Sequence, residues 1–89
     1  MEALSKAIDA AKGVGALAAA IGVAQTAVSN WKARGTVPSE QCPAIERATK
    51  GAVTVEELRP DARWHRVPDE AWPGGRGRPL LDVASREAA

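Results

Sequence analysis

The sequence predicts a mainly α-helical domain over residues 1–60, followed by a Pro/Gly-rich extension over residues 61–89 that has the makings of two short β-strands. Three observations predict it. Apolar residues recur at helical spacing in short runs, each closed by glycine or proline. The aliphatic content leans on alanine, and the three tryptophans are the only aromatics; such a core suits short, closely packed helices and is thin for a β-sandwich. From Asp61 onward the helical period disappears. Four of the six prolines, Pro60 included, and three of the eight glycines collect there.

Leu4, Ala7, Ile8 and Ala11 form one apolar stripe on a helix from about Glu2 to Lys12. The glycines of "GVG", Gly13 to Gly15, end it, because glycine takes a left-handed cap without strain. "ALAAAI" supplies a second helix of about two turns, stopped by Gly22, after which Val23 turns back to the core. A third helix runs from Gln25 to Arg34 and ends at Gly35. A turn with Pro38 leads to a fourth helix, with Ser39 as N-cap, Pro43 in its first turn, Ile45 and Ala48 on its apolar face, and Gly51 at its end. Thr54 followed by Glu57 is a capping-box spacing for a short fifth helix, which points Leu58 inward and stops at Pro60. "ARWHRV" and "PLLDV" then read as strands joined by "PDEAWPGGRGR". Disorder is the competing reading of this tail. Trp64, Trp72, Leu80, Leu81 and Val83 are too apolar for a solvated one, so packing on the helical body, on a second subunit, or on both is expected.

Charge and composition exclude several classes. The net charge is +1, with seven Lys/Arg against six acids in residues 1–59 and five against five in residues 60–89. A chain this balanced holds a polyanion through a local patch, not a global field. Cys42 is the only cysteine, so no internal disulfide forms, and a buried small hydrophobe is expected there. With no leader-like segment and no apolar run near 18 residues, a soluble cytoplasmic chain is expected, with no membrane partner. One histidine, His65, beside one cysteine makes no metal site. "GGRGR", Gly74 to Arg78, lacks the strand and helix that frame a phosphate loop and reads as a solvated turn, with a grazing DNA contact by Arg76 and Arg78 as the alternative. No catalytic constellation is present, so neither an enzyme nor a cofactor or small-molecule ligand is expected.

The informative stretch is Leu17-Ala18, Ile21-Gly22-Val23, Val28 and Trp31. Ala18 lets two helices cross closely, Gly22 makes a tight turn, Val23 plugs the core beneath it, and Val28 and Trp31 anchor the next helix. These are the parts of a helix-turn-helix over about residues 14–34, with residues 25–34 as the recognition helix. The same spacing of small residues also occurs in bundles that bind nothing. What favours DNA is the polar choice at all four outward positions, Gln25, Thr26, Ser29 and Asn30, followed by basic residues. The major groove admits one helix, and its first residues reach base edges. Gln25 and Asn30 suit adenine, the Thr26 methyl suits thymine, and Ser29 is less informative. Lys32 and Arg34, and the backbone amides of Gly15 and Ala16, are the expected phosphate contacts. Trp64, Trp72, Leu80 and Leu81 are candidate dimer contacts, because aromatics dominate interfaces; the two tryptophans equally suit a cover on the body of one subunit.

"ALAAAIGVAQTAVSNWKARGTVPSEQCPAIERATKGAVTVEELRPD" resembles the Cro/CI-type phage repressors, and most of all the YdaS-like branch of Cro-related regulators of prophages of Gram-negative bacteria. Ala18, Gly22, Val23, Val28, Ser29, Trp31, Gly35, Pro38, Ile45, Glu46, Thr49, Gly51, Thr54, Leu58, Arg59 and Pro60 carry the resemblance, over about residues 14–61. It implies a five-helix, lambda-repressor-like body and a transcriptional repressor that occupies double-stranded operator DNA as a homodimer. The family's base-reading positions fall on Gln25, Thr26, Ser29 and Asn30. Relatives often carry a polar residue where Ala24 stands, so one helix cap or phosphate contact is missing here. The resemblance leaves the fold of residues 61–89 open. Some members of the branch are described as antitoxins, which implies an alternative: a protein-binding module of a toxin–antitoxin or prophage-maintenance pair.

Overall fold

The structure, a computed structural model, describes residues 2–81. Helices α1 (Glu2–Ala11), α2 (Val14–Ile21) and α3 (Gln25–Arg34) are followed by a 3-10 turn (Ser39–Gln41), α4 (Cys42–Ala48) and α5 (Val55–Leu58). Strands β1 (Trp64–Val67) and β2 (Arg78–Leu81) follow as an antiparallel hairpin, with Trp64 opposite Leu81 and Arg66 opposite Pro79. The mainly helical fold and the two strands agree with the sequence expectation; Val83 of the expected second strand lies outside the described residues.

One core serves all five helices. Leu4, Ala7 and Ile8 of α1 meet Leu17 and Ala18 of α2, Val28 and Trp31 of α3, Ile45 of α4, and Val55 and Leu58 of α5. Val37, Cys42 and Val53 fill the space between helices, all fully buried. Burial pushes the Cys42 thiol up to about 12, so it stays protonated and serves as a small hydrophobe. Ala18 is 2% exposed and sits where α2 passes its neighbours.

Three local expectations need correction. α1 ends through Lys12, not glycine: Lys12 itself takes the left-handed conformation (φ 71°), and the Gly13 amide donates to the Ile8 carbonyl at 2.9 Å. α2 begins at Val14, so Gly15 lies inside its first turn; the Gly13 carbonyl already accepts from the Leu17 amide at 3.0 Å. Ser39 does not cap the fourth helix. It opens a 3-10 turn in which the Gln41 amide donates to the Pro38 carbonyl and the following Cys42 amide to the Ser39 carbonyl, so the turn, not Ser39, leads into α4. Pro43 does fall in the first turn of α4, where a missing N–H is harmless. Thr54 caps α5 as expected, its hydroxyl accepting from the Glu57 amide at 3.3 Å.

The hairpin is attached through Glu46, a charged residue only 1% exposed. One carboxylate oxygen accepts from the Val55 amide (2.9 Å) and from Arg66 Nη2 (2.7 Å). The other accepts from Arg66 Nη1 and from Trp72 Nε1 (2.7 Å). Arg66 also bridges to Glu56 (2.7 Å) and donates to the Gly77 carbonyl (2.9 Å). Burial by itself would raise the Glu46 pKa, but the Arg66 and Trp72 hydrogen bonds and the Val55 amide outweigh it and hold the carboxyl below its ordinary value. Nearby, the hairpin loop meets the turn after α4 so closely that a Cβ on Gly51 would stand 2.8 Å from the Gly74 Cα. With φ at +84° as well, position 51 takes only glycine.

Arg66→Met removes the countercharge and strands the Glu46 carboxylate in the interior. A loss of about 3–5 kcal/mol is expected in urea unfolding at neutral pH. Because the folded Glu46 pKa lies below its unfolded value of 4.5, its stabilisation is complete above that pH and fades as pH falls through the folded value. Melting curves of the wild type and Glu46→Gln between pH 7 and pH 3 measure this: the variant loses less stability on acidification. Ala18→Leu overpacks the helix crossing and costs about 1–3 kcal/mol, read from the same urea transitions.

Candidate nucleic-acid interface

The turn between α2 and α3 is built as its residues require. Gly22 caps α2 in the left-handed conformation, φ 77°, and the Val23 amide returns to the Ala18 carbonyl at 3.0 Å. Val23 packs against the core from that turn. α3 starts at Gln25 after Ala24, which offers no side-chain cap. It is clamped from below by Val28 (0% exposed) and Trp31 (7%). At its end, the Gly35 and Thr36 amides both donate to the Trp31 carbonyl, at 2.9 and 3.2 Å.

With Val28 and Trp31 turned inward, the opposite face of α3 is exposed, and Gln25, Thr26, Ser29 and Asn30 all lie on it. At about 100° per residue, Ala33 falls near the middle of the same face, and it too is exposed. An alanine carries no polar signal, so only its place on the helical wheel marks Ala33 as part of this face. Its methyl can touch a thymine methyl. Lys32 and Arg34 sit in the last turn of α3. Two residues apart, they project about 160° from each other, on opposite flanks of the exposed face. Neither is ion-paired among the described residues.

α2 brings its N-terminus to the same place. Its first turn has no side-chain cap and no acidic residue, and Gly15 and Ala16 are exposed there. Gly15 and Gln25 are neighbours in space: a Cβ at Gly15 would stand 3.4 Å from Gln25 Oε1. From Lys12 to Ser39 the chain carries three cations and no carboxylate. The near-neutral total thus hides a local positive surface, strengthened by the positive ends of two helix dipoles.

Arg59 and Asp61 hold the loop that leaves α3. Arg59 donates to the Val37 carbonyl (3.0 Å) in the loop that follows α3, while Asp61 grips its other guanidinium nitrogens at 2.9 and 2.7 Å. That hydrogen bonding draws the Asp61 carboxyl down to about 2. Because Arg59 and Val37 lie 22 residues apart, no local pattern reveals their contact. The tryptophans of the tail are engaged within the chain: Trp64 donates to the Arg59 carbonyl (3.1 Å) and packs on the core, and Trp72 donates to Glu46. Of the four candidate dimer contacts, Leu80 is the exposed large hydrophobe, and Leu81 is partly covered. His65 is exposed on β1, and among the described residues no cluster of acids, His and Cys is placed to hold a metal. No helix among them is long and apolar enough to cross a membrane.

A short α2, a glycine turn and an α3 with a polar outer face define a helix-turn-helix protein of the Cro type. Comparison with solved structures agrees. The chain matches "Structure of the Cro protein from putative prophage element Xfaso 1 in Xylella fastidiosa strain Ann-1" with a TM-score of 0.67 and 57% identity, over 68% of this chain and 94% of that one. Residues 4–67 match the family described as "Bacterial toxin YdaS", and the chain belongs to that family. It is 51% identical over 53 residues to "Putative transcriptional regulator YdaS" of Escherichia coli (strain K12), covering 58% of this chain and 54% of that protein. The chain therefore matches about half the length of that relative.

Proposed function

We propose that this chain is a sequence-specific transcriptional regulator that occupies operator DNA as a homodimer, with α3 in the major groove. The observation that carries the reading is the exposed row Gln25, Thr26, Ser29 and Asn30 on a helix anchored by Val28 and Trp31. Gln25 and Thr26 read bases from the first turn, and Ser29 and Asn30 from the next. Lys32 and Arg34 meet phosphates on the two sides of the groove, and the Gly15 and Ala16 amides meet another at the start of α2. The names of the relatives, a transcriptional regulator and a prophage Cro protein, support the reading. Repression follows from position alone, since a protein seated on an operator keeps polymerase off the overlapping promoter. No step calls for catalysis or a cofactor.

The second reading is the antitoxin-type protein-binding module. The observation favouring it is Leu80, a large apolar side chain 38% exposed on the hairpin, which serves a partner protein as readily as a second copy. The family's description as a bacterial toxin adds weak support. Deleting the tail is a poor test, because it removes both Arg66 and Trp72 and leaves Glu46 buried without its partners. A charge at the exposed position separates the readings: Leu80→Glu in a homodimeric repressor shifts the mass in solution to the monomer and weakens operator binding. If mass and DNA affinity are both unchanged, the hairpin is not the dimer contact.

Gln25→Ala and Asn30→Ala each cost about 1–3 kcal/mol at particular base pairs. Selection of bound DNA from a random pool measures the change. Unchanged preferences in both variants would overturn the assignment of α3. Lys32→Ala weakens binding to all sequences alike and lowers the slope of log affinity against log salt by about one unit, as read by titration at several salt concentrations.

A further inference from the structure

We propose that Gly15 is a specificity-determining position that acts through Gln25: by carrying no side chain, it leaves the Gln25 carboxamide its place over the first turn of α2. The inference rests on the DNA-binding reading above and deepens it.

A glycine in a helix asks for a reason, since it is among the poorest helix formers. Gly15 is the second residue of α2 and is absent from the positive-φ positions, so its backbone conformation is open to any residue. Core packing supplies no reason either, because position 15 is exposed. What a Cβ there would meet is specific. Outside its own stretch of helix, the heavy atoms within 4 Å are Oε1 of Gln25 at 3.4 Å and Cδ of Gln25 at 3.7 Å, and no others. The missing side chain makes room for one group, the carboxamide at the first position of α3.

That carboxamide makes no hydrogen bond among the described residues, so its donors and acceptor remain open. The backbone of α2 at Gly15 bounds the space in which it lies without using what it has to offer. Restricting the head group before binding reduces the ordering that binding requires, and a bidentate pair with adenine demands a defined plane for the amide. Position 15 therefore acts as a positioning residue. A methyl at 3.4 Å rests on the amide at ordinary contact distance, so alanine is tolerated. The two γ-carbons of valine extend about 1.5 Å further, are held to essentially one rotamer in a helix, and displace the carboxamide.

The test uses the full chain as wild type, Gly15→Ala, Gly15→Val, Gln25→Ala and the double variant Gly15→Val/Gln25→Ala. Each selects DNA from a random pool, and its melting temperature is measured. Gln25→Ala identifies the base pair that Gln25 reads, with discrimination there falling about 5- to 150-fold. Gly15→Val lowers discrimination at that same pair and adds nothing in the Gln25→Ala background. Gly15→Ala, which retains the backbone amide, changes the preference less than Gly15→Val does, at an equal or higher melting temperature. In the free protein, the Gln25 side-chain amide resonances shift in Gly15→Val. Should valine lower the melting temperature, Gly15→Leu, a better helix former, carries the same test. A wild-type preference in Gly15→Val beside an intact Gln25→Ala effect overturns this inference alone. So does a loss that is uniform over all pairs and equal in both backgrounds, which assigns Gly15 to the phosphate backbone. A Gln25→Ala variant that changes no base preference overturns the base-reading assignment, and this inference with it.

Discussion

The arrangement of this chain depends on one buried carboxylate. Glu46 accepts four hydrogen bonds from three parts of the molecule: the start of α5, the β1 strand and the hairpin loop. A carboxylate this deep is tolerated only when each oxygen is met and a countercharge is near. Arg66 supplies that charge, and its further bonds to Glu56 of α5 and to the Gly77 carbonyl just before β2 tie α5 and the second arm of the hairpin to the same point. Two four-residue strands have little stability of their own in water. Here they are one ordered unit with the helical body because the cost of releasing them is an uncompensated buried charge.

The α2–α3 surface has a different logic. It is held from beneath by apolar side chains and left unoccupied above. Val28 and Trp31 fix the rotation of α3, Ala18 and Gly22 its approach to α2, and Arg59 with Asp61 the loop that leaves it. These constraints leave the polar residues of α3 few ways to move as a group. The first turns of both helices have no side-chain cap and lie close together, and the sequence from Lys12 to Ser39 carries no carboxylate. Binding of a polyanion by a chain of net charge +1 then needs only this local surface.

The helices and the turn were legible because their signals are local. Apolar residues at i, i+3 and i+4 place a helix face wherever they occur, Gly22 takes its left-handed cap, and a polar row opposite Val28 and Trp31 faces away from the core in any fold that buries those two. The errors came at element ends, where two local solutions compete. Lys12 took the cap expected of glycine, and a 3-10 turn opened by Ser39 stands between that residue and α4. Ala33 went unseen because a methyl group is unremarkable until its position on the helix is known.

The residues of 2–60 thus dictate five helices, their inward faces and the side chains that α3 turns outward, since each depends on neighbours within a turn of chain. The tail is different. "ARWHRV" and "PLLDV" read as two strands, but their local pattern leaves open whether they pack on the helical body, on a second subunit, or on both. The choice was made by Arg66 reaching Glu46 across 20 residues and Trp72 reaching it across 26. Ion pairs and hydrogen bonds of that separation have no period and no fixed spacing. They exist only once the chain has folded, when burial has made an unpaired carboxylate too costly to leave alone.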